Sequence, residues 1–155
     1  MTTTRIGVVT DTHVGDELPA LPNEVLERLA EVDLVVHAGD LVEPDILQDL
    51  ARVAPVIAVR GNHDRNRSLP HSVLLRVGGH RIAVVHGIRP APIELGSALA
   101  FTFLGRLDMN GHCRALARLT PPADLVVFGH IHIPVDRTLA GTRFYSPGPV
   151  YQPVA

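Results

Sequence analysis

Five short apolar runs along this chain each end on Asp, Asn or His. IGVVT (6–10) runs into Asp11-Thr12-His13, LVVHAG (34–39) into Asp40, and VIAVRG (56–61) into Asn62-His63-Asp64. RIAVV (81–85) runs into His86, and LVVFG (125–129) into His130-Ile131-His132. Short β-branched runs without polar alternation read as strands buried on both faces. In α/β sheets ligands bind beyond the carboxyl ends of the strands. A chain that places polar donors there five times must fold so that those ends converge. Asp11/His13 and His130/His132 have i, i+2 spacing, which points both side chains of a pair to one side of an extended segment. Gly39, Gly61, Gly87 and Gly129 permit the turns and close approaches such ends need.

Between these runs lie helical patterns. Pro22–Val32 carries Val25, Leu26, Leu29 and Val32 at helical spacing, and Glu43–Val53 carries Ile46, Leu47, Leu50 and Val53, with Pro44 suited to a first helical position. Ser72–Val77 and Arg81–His86 flank Gly78-Gly79-His80 and predict an antiparallel hairpin; Val135–Leu139 and Thr142–Tyr145 flank Ala140-Gly141 and predict another. Asn110–Leu119 reads as a helix stopped before Pro121-Pro122, whereas Glu94–Leu107 is apolar with no clear period. Strand–helix alternation followed by hairpins predicts an α/β layered domain with mixed sheets.

Composition removes several chemistries. All 14 basic residues of the 155 are Arg, so there is no Lys Schiff base and no G-x-x-x-x-G-K-[ST] phosphate loop. A formal net charge of −2 supplies no basic field for nucleic acid. A single Cys, Cys113, makes no internal disulfide; the N-terminus lacks a signal-length apolar run, and no stretch reaches membrane-span length. A cytoplasmic location and no membrane association are the expectations. Nine His remain to be explained.

Seven donors stand at the strand ends: Asp11, His13, Asp40, Asn62, His86, His130 and His132. If Asp40 bridges, two ions receive four protein ligands each. A nitrogen and oxygen set without thiolate disfavours structural zinc and suits a catalytic pair. Alone, an Asp after a strand is a turn or cap residue, and a lone His-x-His is an exposed pair. Five such ends together point to metal, and two ions with two carboxylates attract phosphate and activate water.

DTH (11–13), GD (39–40), GNHD (61–64), HG (86–87) and GHIH (129–132) resemble the signature blocks of the calcineurin-like metallophosphoesterases. Their order and spacing are most similar to the small, capless bacterial and archaeal phosphodiesterase branch, which includes the metallophosphoesterase-fold subunit of retromer. The resemblance runs from about Ile6 to Gly148. It implies a four-layer α-β-β-α sandwich of two mixed sheets flanked by helices, with one domain over residues 1–155 and no cap domain. It implies one metal on Asp11, His13, Asp40 and His132, and another on Asp40, Asn62, His86 and His130. Manganese is the first expectation for these two divalent ions, with iron, zinc, cobalt or nickel as alternatives. The implied function is hydrolysis of a small phosphate ester, a diester before a monoester, by a metal-bridging hydroxide. His63 matches the substrate-facing histidine of the family, a general acid or a stabiliser of transition-state charge, and Asp64 is expected to orient it. Two readings compete: a non-catalytic interaction scaffold of the same fold, and a nuclease, for which nucleic acid other than a nucleotide substrate is disfavoured by the charge. A homo-oligomer is left open.

Three departures from the family pattern stand out. Ile88 replaces a second His after the HG block, Ser146-Pro147-Gly148-Pro149 stands where Asn-Pro-Gly-Ser is common, and relatives often continue with another hairpin. The last predicts a short sheet or an edge covered by a partner. Arg65, Arg67 and Arg106 are candidate phosphate ligands. His37 is expected to be buried near the site, His71 and His80 at the surface, and His112 at a helix start as a cap or in solvent.

Overall fold

The computed structural model describes residues 3–104 and 107–151; the candidate Arg106 lies outside them. Among the described residues twelve elements follow one another: β1 (Ile6–Val9), α1 (Asn23–Leu29), β2 (Leu34–His37), α2 (Ile46–Ala51), β3 (Val56–Ala58), β4 (Ser72–Val77), β5 (His80–Val85), α3 (Ala91–Leu104), α4 (Met109–Leu119), β6 (Leu125–Val127), β7 (Val135–Leu139) and β8 (Thr142–Ser146). One sheet has the order β1-β2-β3 and is parallel in both pairings. The other has the order β4-β5-β6-β8-β7 and is mixed, with parallel β5-β6 and β6-β8 pairs between two antiparallel hairpins.

Alternation along the strands builds the layers. In β2, Val35 packs with Leu29, Ile46 and Leu50 under α1 and α2, while Val36 packs with Ile82, Val84 and Val127 between the sheets. In β5 and β6, Ile82, Val84 and Val127 face the first sheet, while Ala83, Val85 and Val126 pack with Cys113 and Leu116 of α4. A strand that feeds a core on each face reads as continuously apolar, which is why the period-2 signal is missing from these runs. The result is helix, sheet, sheet, helix, the four-layer sandwich of the metallophosphoesterase fold.

Two segments depart from expectation. The stretch without a clear period forms α3, whose Glu94 and Ser97 line a cavity of about 200 Å³ while Ile93, Leu95 and Leu99 are exposed. Ile93, Leu95 and Leu99 point outward, so no single inward hydrophobic stripe marks it. In α4, Asp108 rather than His112 caps the N-terminus, accepting from the Gly111 N–H at 2.9 Å. His112 is instead fully buried beside Phe128, with ring centroids 5.4 Å apart. Its place on the stripe with Cys113 and Leu116 outweighs its polarity.

Candidate metal centre

The carboxyl ends of five strands meet at one edge of the sandwich, and backbone bonds hold them there. Asp11 N–H donates to Gly39 C=O at 3.0 Å and His13 N–H to Asp40 C=O at 3.1 Å, tying the end of β1 to that of β2. Gly129 N–H donates to His86 C=O at 3.0 Å, tying β6 to β5. His130 N–H donates to the Asp11 carboxylate at 3.0 Å and so joins the two sheets. Two glycines are forced by this closeness. A Cβ on Gly61 would overlap Asp40 Oδ1, and one on Gly129 would overlap Thr10 Oγ1 and crowd Asp11 Oδ2.

Asp11, His13, Asp40 and His132 offer ligand atoms that all lie within 4.8 Å of one another. His13 Nε2 is 3.5 Å from Asp40 Oδ2, and His132 Nε2 is 3.3 Å from Asp11 Oδ1. The same Asp40 Oδ2 is 3.2 Å from His86 Nε2, which is 3.1 Å from Asn62 Oδ1. The rings of His86 and His130 are 5.1 Å apart. Asp40 thus stands between His13 on one side and His86 with Asn62 on the other, whereas His130 directs its Nε2 to Glu94 Oε1, at 3.6 Å. Asp11 and Asp40 are 0% and 1% exposed, and among the described residues their ion-pair partners are His alone. His13 Nε2 is buried without a hydrogen-bond partner. Two buried carboxylates and an orphaned ring nitrogen are costly unless a cation joins them, so this donor set fits a divalent metal.

The backbone is strained to present these groups. Seven non-glycine residues among those described have positive φ; five are Asp11, His13, Asp40, His130 and His132, between +46° and +72°. Left-handed backbone costs an L-residue about 1–2 kcal/mol. Its concentration at one strand-end cluster marks a site whose geometry the surrounding structure over-determines. A sixth, Val42, is β-branched at φ +70°, and its N–H is held by Asp64 Oδ1 at 2.8 Å.

Electrostatics reinforce the reading. Burial works against the Asp40 carboxylate, yet the hydrogen bond and charge of His86 hold its pKa down to about 2. Burial likewise opposes ionised Asp11, but His132, His86 and Thr10 lower its pKa. His86 is the reciprocal case: burial lowers its pKa, and Asp40 reverses the sign and raises it. His86 Nδ1 donates to Ala38 C=O at 2.8 Å, which leaves Nε2 directed to Asp40 and Asn62. His37 is buried at 0% exposure with a pKa near 4 through desolvation; its Nδ1 accepts from Gly39 N–H at 3.2 Å, and its Nε2 lies 3.2 Å from Thr12 Oγ1. It stiffens the DTH and GD turns rather than facing the centre.

The remaining candidates separate. His63 is exposed, its ring 5.0 Å from that of His13, and its N–H donates to Asp40 Oδ1 at 2.9 Å. Asp64 does not take the expected place against the His63 ring. It is 6% exposed, and its carboxylate accepts the N–H groups of Gly61 at 2.7 Å, Val42 at 2.8 Å and Asp40 at 3.1 Å. Three backbone donors outcompete a solvent-facing ring because leaving them buried and unpaired costs more. Arg65 does not present a free guanidinium: it pairs with Glu43 and lies 3.9 Å from Asp16. Arg67 is exposed, and its backbone carbonyl accepts from Arg60 at 3.4 Å.

Other residues at the centre carried no motif. Tyr151 OH lies 3.2 Å from His132 Nδ1, brought there by the turn in which Gly148, φ +80°, packs on Pro134. The Ser146-Pro147-Gly148-Pro149 variant therefore still delivers a contact to the centre. Ile88 is 43% exposed, whereas Arg89 is buried and bidentate to Glu94, whose Oε1 is 3.6 Å from His130 Nε2. Asp16 offers a carboxylate oxygen within 4.8 Å of ring nitrogens of both His13 and His63. No periodicity signals such contacts, because turns make them.

Residues 4–155 match the calcineurin-like phosphoesterase superfamily domain. A probable metallophosphoesterase of Methanothermobacter thermautotrophicus is 34% identical over 146 residues, which cover 92% of this chain and 75% of that protein. Wild-type Vps29 complexed with Zn2+ from Entamoeba histolytica shares the fold at TM-score 0.72 and 22% identity, over 93% of this chain and 73% of that one. A novel archaeal phosphodiesterase shares it at TM-score 0.64 and 21% identity, over 94% and 84%. With its strand-end donors assembled as described, the chain belongs to the calcineurin-like phosphoesterase superfamily.

Proposed function

We propose that this chain is a dinuclear metal-dependent phosphodiesterase. The observation that supports it is the Asp40 carboxylate, whose Oδ2 approaches both His13 and His86 within a ring of buried acids and imidazoles. One ion would be held by Asp11, His13, Asp40 and His132, the other by Asp40, Asn62, His86 and His130, with manganese the first metal to test. When bound, such ions supply Lewis acidity, acidifying water and neutralising charge on phosphoryl oxygens.

The chain's own residues supply the rest. His63 stands at the exposed mouth beside His13, where it is placed to protonate the departing alcohol oxygen. Asp64 holds the Asp40 and Asn62 turns at fixed spacing through its backbone bonds. Arg65 and Arg89 are committed to carboxylates. Neither is available to match the second charge of a monoester dianion, which favours the singly charged diester.

The test is turnover of manganese-loaded protein on phosphodiesters and monoesters, with metal content measured in parallel. Two ions per chain and diester hydrolysis are expected. Folded, loaded protein that leaves both ester classes intact would sink the proposal. His63→Ala is expected to cut kcat by about 100-fold or more at unchanged metal content. A second reading, a protein-docking scaffold, draws support from the 46%, 63% and 49% exposure of Ile93, Leu95 and Leu99 on α3. Measurable turnover lost in His63→Ala decides against it as the sole role.

A further inference from the structure

His63 needs a partner that fixes its ring, and Asp64 is not that partner, because three backbone N–H groups occupy its carboxylate. Asp16 is the acid that stands near. It leaves the β1 end by a tight turn in which the N–H groups of Asp16, Glu17 and Leu18 all donate to the His13 carbonyl, at 3.1, 2.8 and 3.2 Å. That turn carries the Asp16 carboxylate back toward the site, within 4.8 Å of ring nitrogens of His13 and His63. A separation of up to 4.8 Å leaves room for one water molecule shared between two polar groups. Behind it, Arg65 reaches Asp16 Oδ1 at 3.9 Å while bonded to Glu43. The guanidinium ties three segments together: the turn after β1, the loop before α2 and the loop that carries His63.

We propose that Asp16 is the positioning residue for His63, with Arg65 anchoring Asp16. This rests on the reading of His63 as the proton donor to the leaving group. As the P–O bond breaks, the His63 N–H proton passes to the departing oxygen, giving the alcohol and a neutral imidazole, which water re-protonates. Asp16 gains and loses no bond. It keeps one ring nitrogen directed at the ester and compensates the imidazolium charge until the proton leaves. Asp64 stabilises the same loop from inside the fold.

The test is a double-mutant cycle of Asp16→Asn and His63→Ala on manganese-loaded protein, with aryl phosphodiesters of graded leaving-group acidity. Asp16→Asn is expected to lower kcat about tenfold or more on phenyl esters and less than about threefold on p-nitrophenyl esters, at unchanged KM and metal content. In the His63→Ala background it is expected to add no further loss. Asp16→Glu is expected to recover most of the rate. Equal losses on all esters, additive losses in the cycle, or loss of metal would overturn the assignment.

A second readout needs no turnover. Imidazole 15N signals of His63 in the metal-free protein, assigned by their absence in His63→Ala, are expected to move by several ppm in Asp16→Asn. They are expected to stay in place in Arg76→Gln, a control on β4. Unmoved His63 signals in Asp16→Asn would refute the contact. If the wild type hydrolyses no ester, the functional reading fails, and this measurement still decides whether Asp16 holds His63.

Discussion

His112 offers the sharpest energetic test of the structure. It is 0% exposed, lies against Phe128, and has a hydrogen-bond partner at neither ring nitrogen. Desolvation, followed by the nearby charge of Arg89, pushes its pKa down to about 4. An ordinary His in the unfolded chain titrates near 6.5. The folded form thus resists protonation, and the unfolded state binds the extra proton first. The contribution to stability is whole above pH 6.5 and is lost as pH falls toward 4. Between pH 7.5 and 4.5 these two values give a loss of about 2–3 kcal/mol from this residue. His112→Leu removes the titration and relieves two buried orphaned nitrogens at little change in volume. We expect the variant to be more stable than the wild type by about 1–3 kcal/mol at pH 7.5. The advantage is expected to widen by about 2–3 kcal/mol at pH 4.5. Urea unfolding at both pH values measures it, and His37 and the carboxylates cancel because both proteins share them. A variant that is less stable at pH 7.5, or whose advantage does not grow on acidification, refutes the claim that His112 is buried, unpaired and neutral.

Two further outcomes follow from the same contacts. Asp64→Ala strips the acceptor from three backbone N–H groups and is expected to cost about 3–5 kcal/mol. The thermal midpoint is expected to drop by about 10 °C, with weaker metal binding by calorimetry; a midpoint within 2 °C of wild type would return Asp64 to a purely chemical role. Gly129→Ala places a methyl on Thr10 Oγ1 and Asp11 Oδ2 and is expected to destabilise by about 1–3 kcal/mol while lowering metal affinity; unchanged metal content would show that the two sheets can separate there without harm to the site.

Much of the molecule was legible in the sequence because its information was local. The buried strands announced themselves as β-branched runs, and the hairpins by Gly78-Gly79 and Ala140-Gly141. Donors at strand ends are local too, so a one-dimensional pattern was enough to name Asp11, His13, Asp40, Asn62, His86, His130 and His132 as candidates. Helix α3 was not legible, because a helix with apolar residues on its outer side has no stripe to detect. Asp64 was misread for a related reason. Adjacency to His63 suggests a side-chain pair, but neighbouring residues in a turn point different ways, and the carboxylate went to buried amides.

By itself the sequence determined the layered α/β class, the candidate donors and the exclusion of Lys chemistry, since each depends only on residue type and spacing. Tertiary structure alone decided what those residues touch. It strained five donor positions into left-handed backbone, gave Asp64 to the loops, set Arg65 against Asp16 and Glu43, and placed Tyr151 against His132. The physical reason is competition. A polar side chain takes whichever partner leaves the fewest buried groups unpaired, and those partners come from segments as far apart as residues 11 and 130.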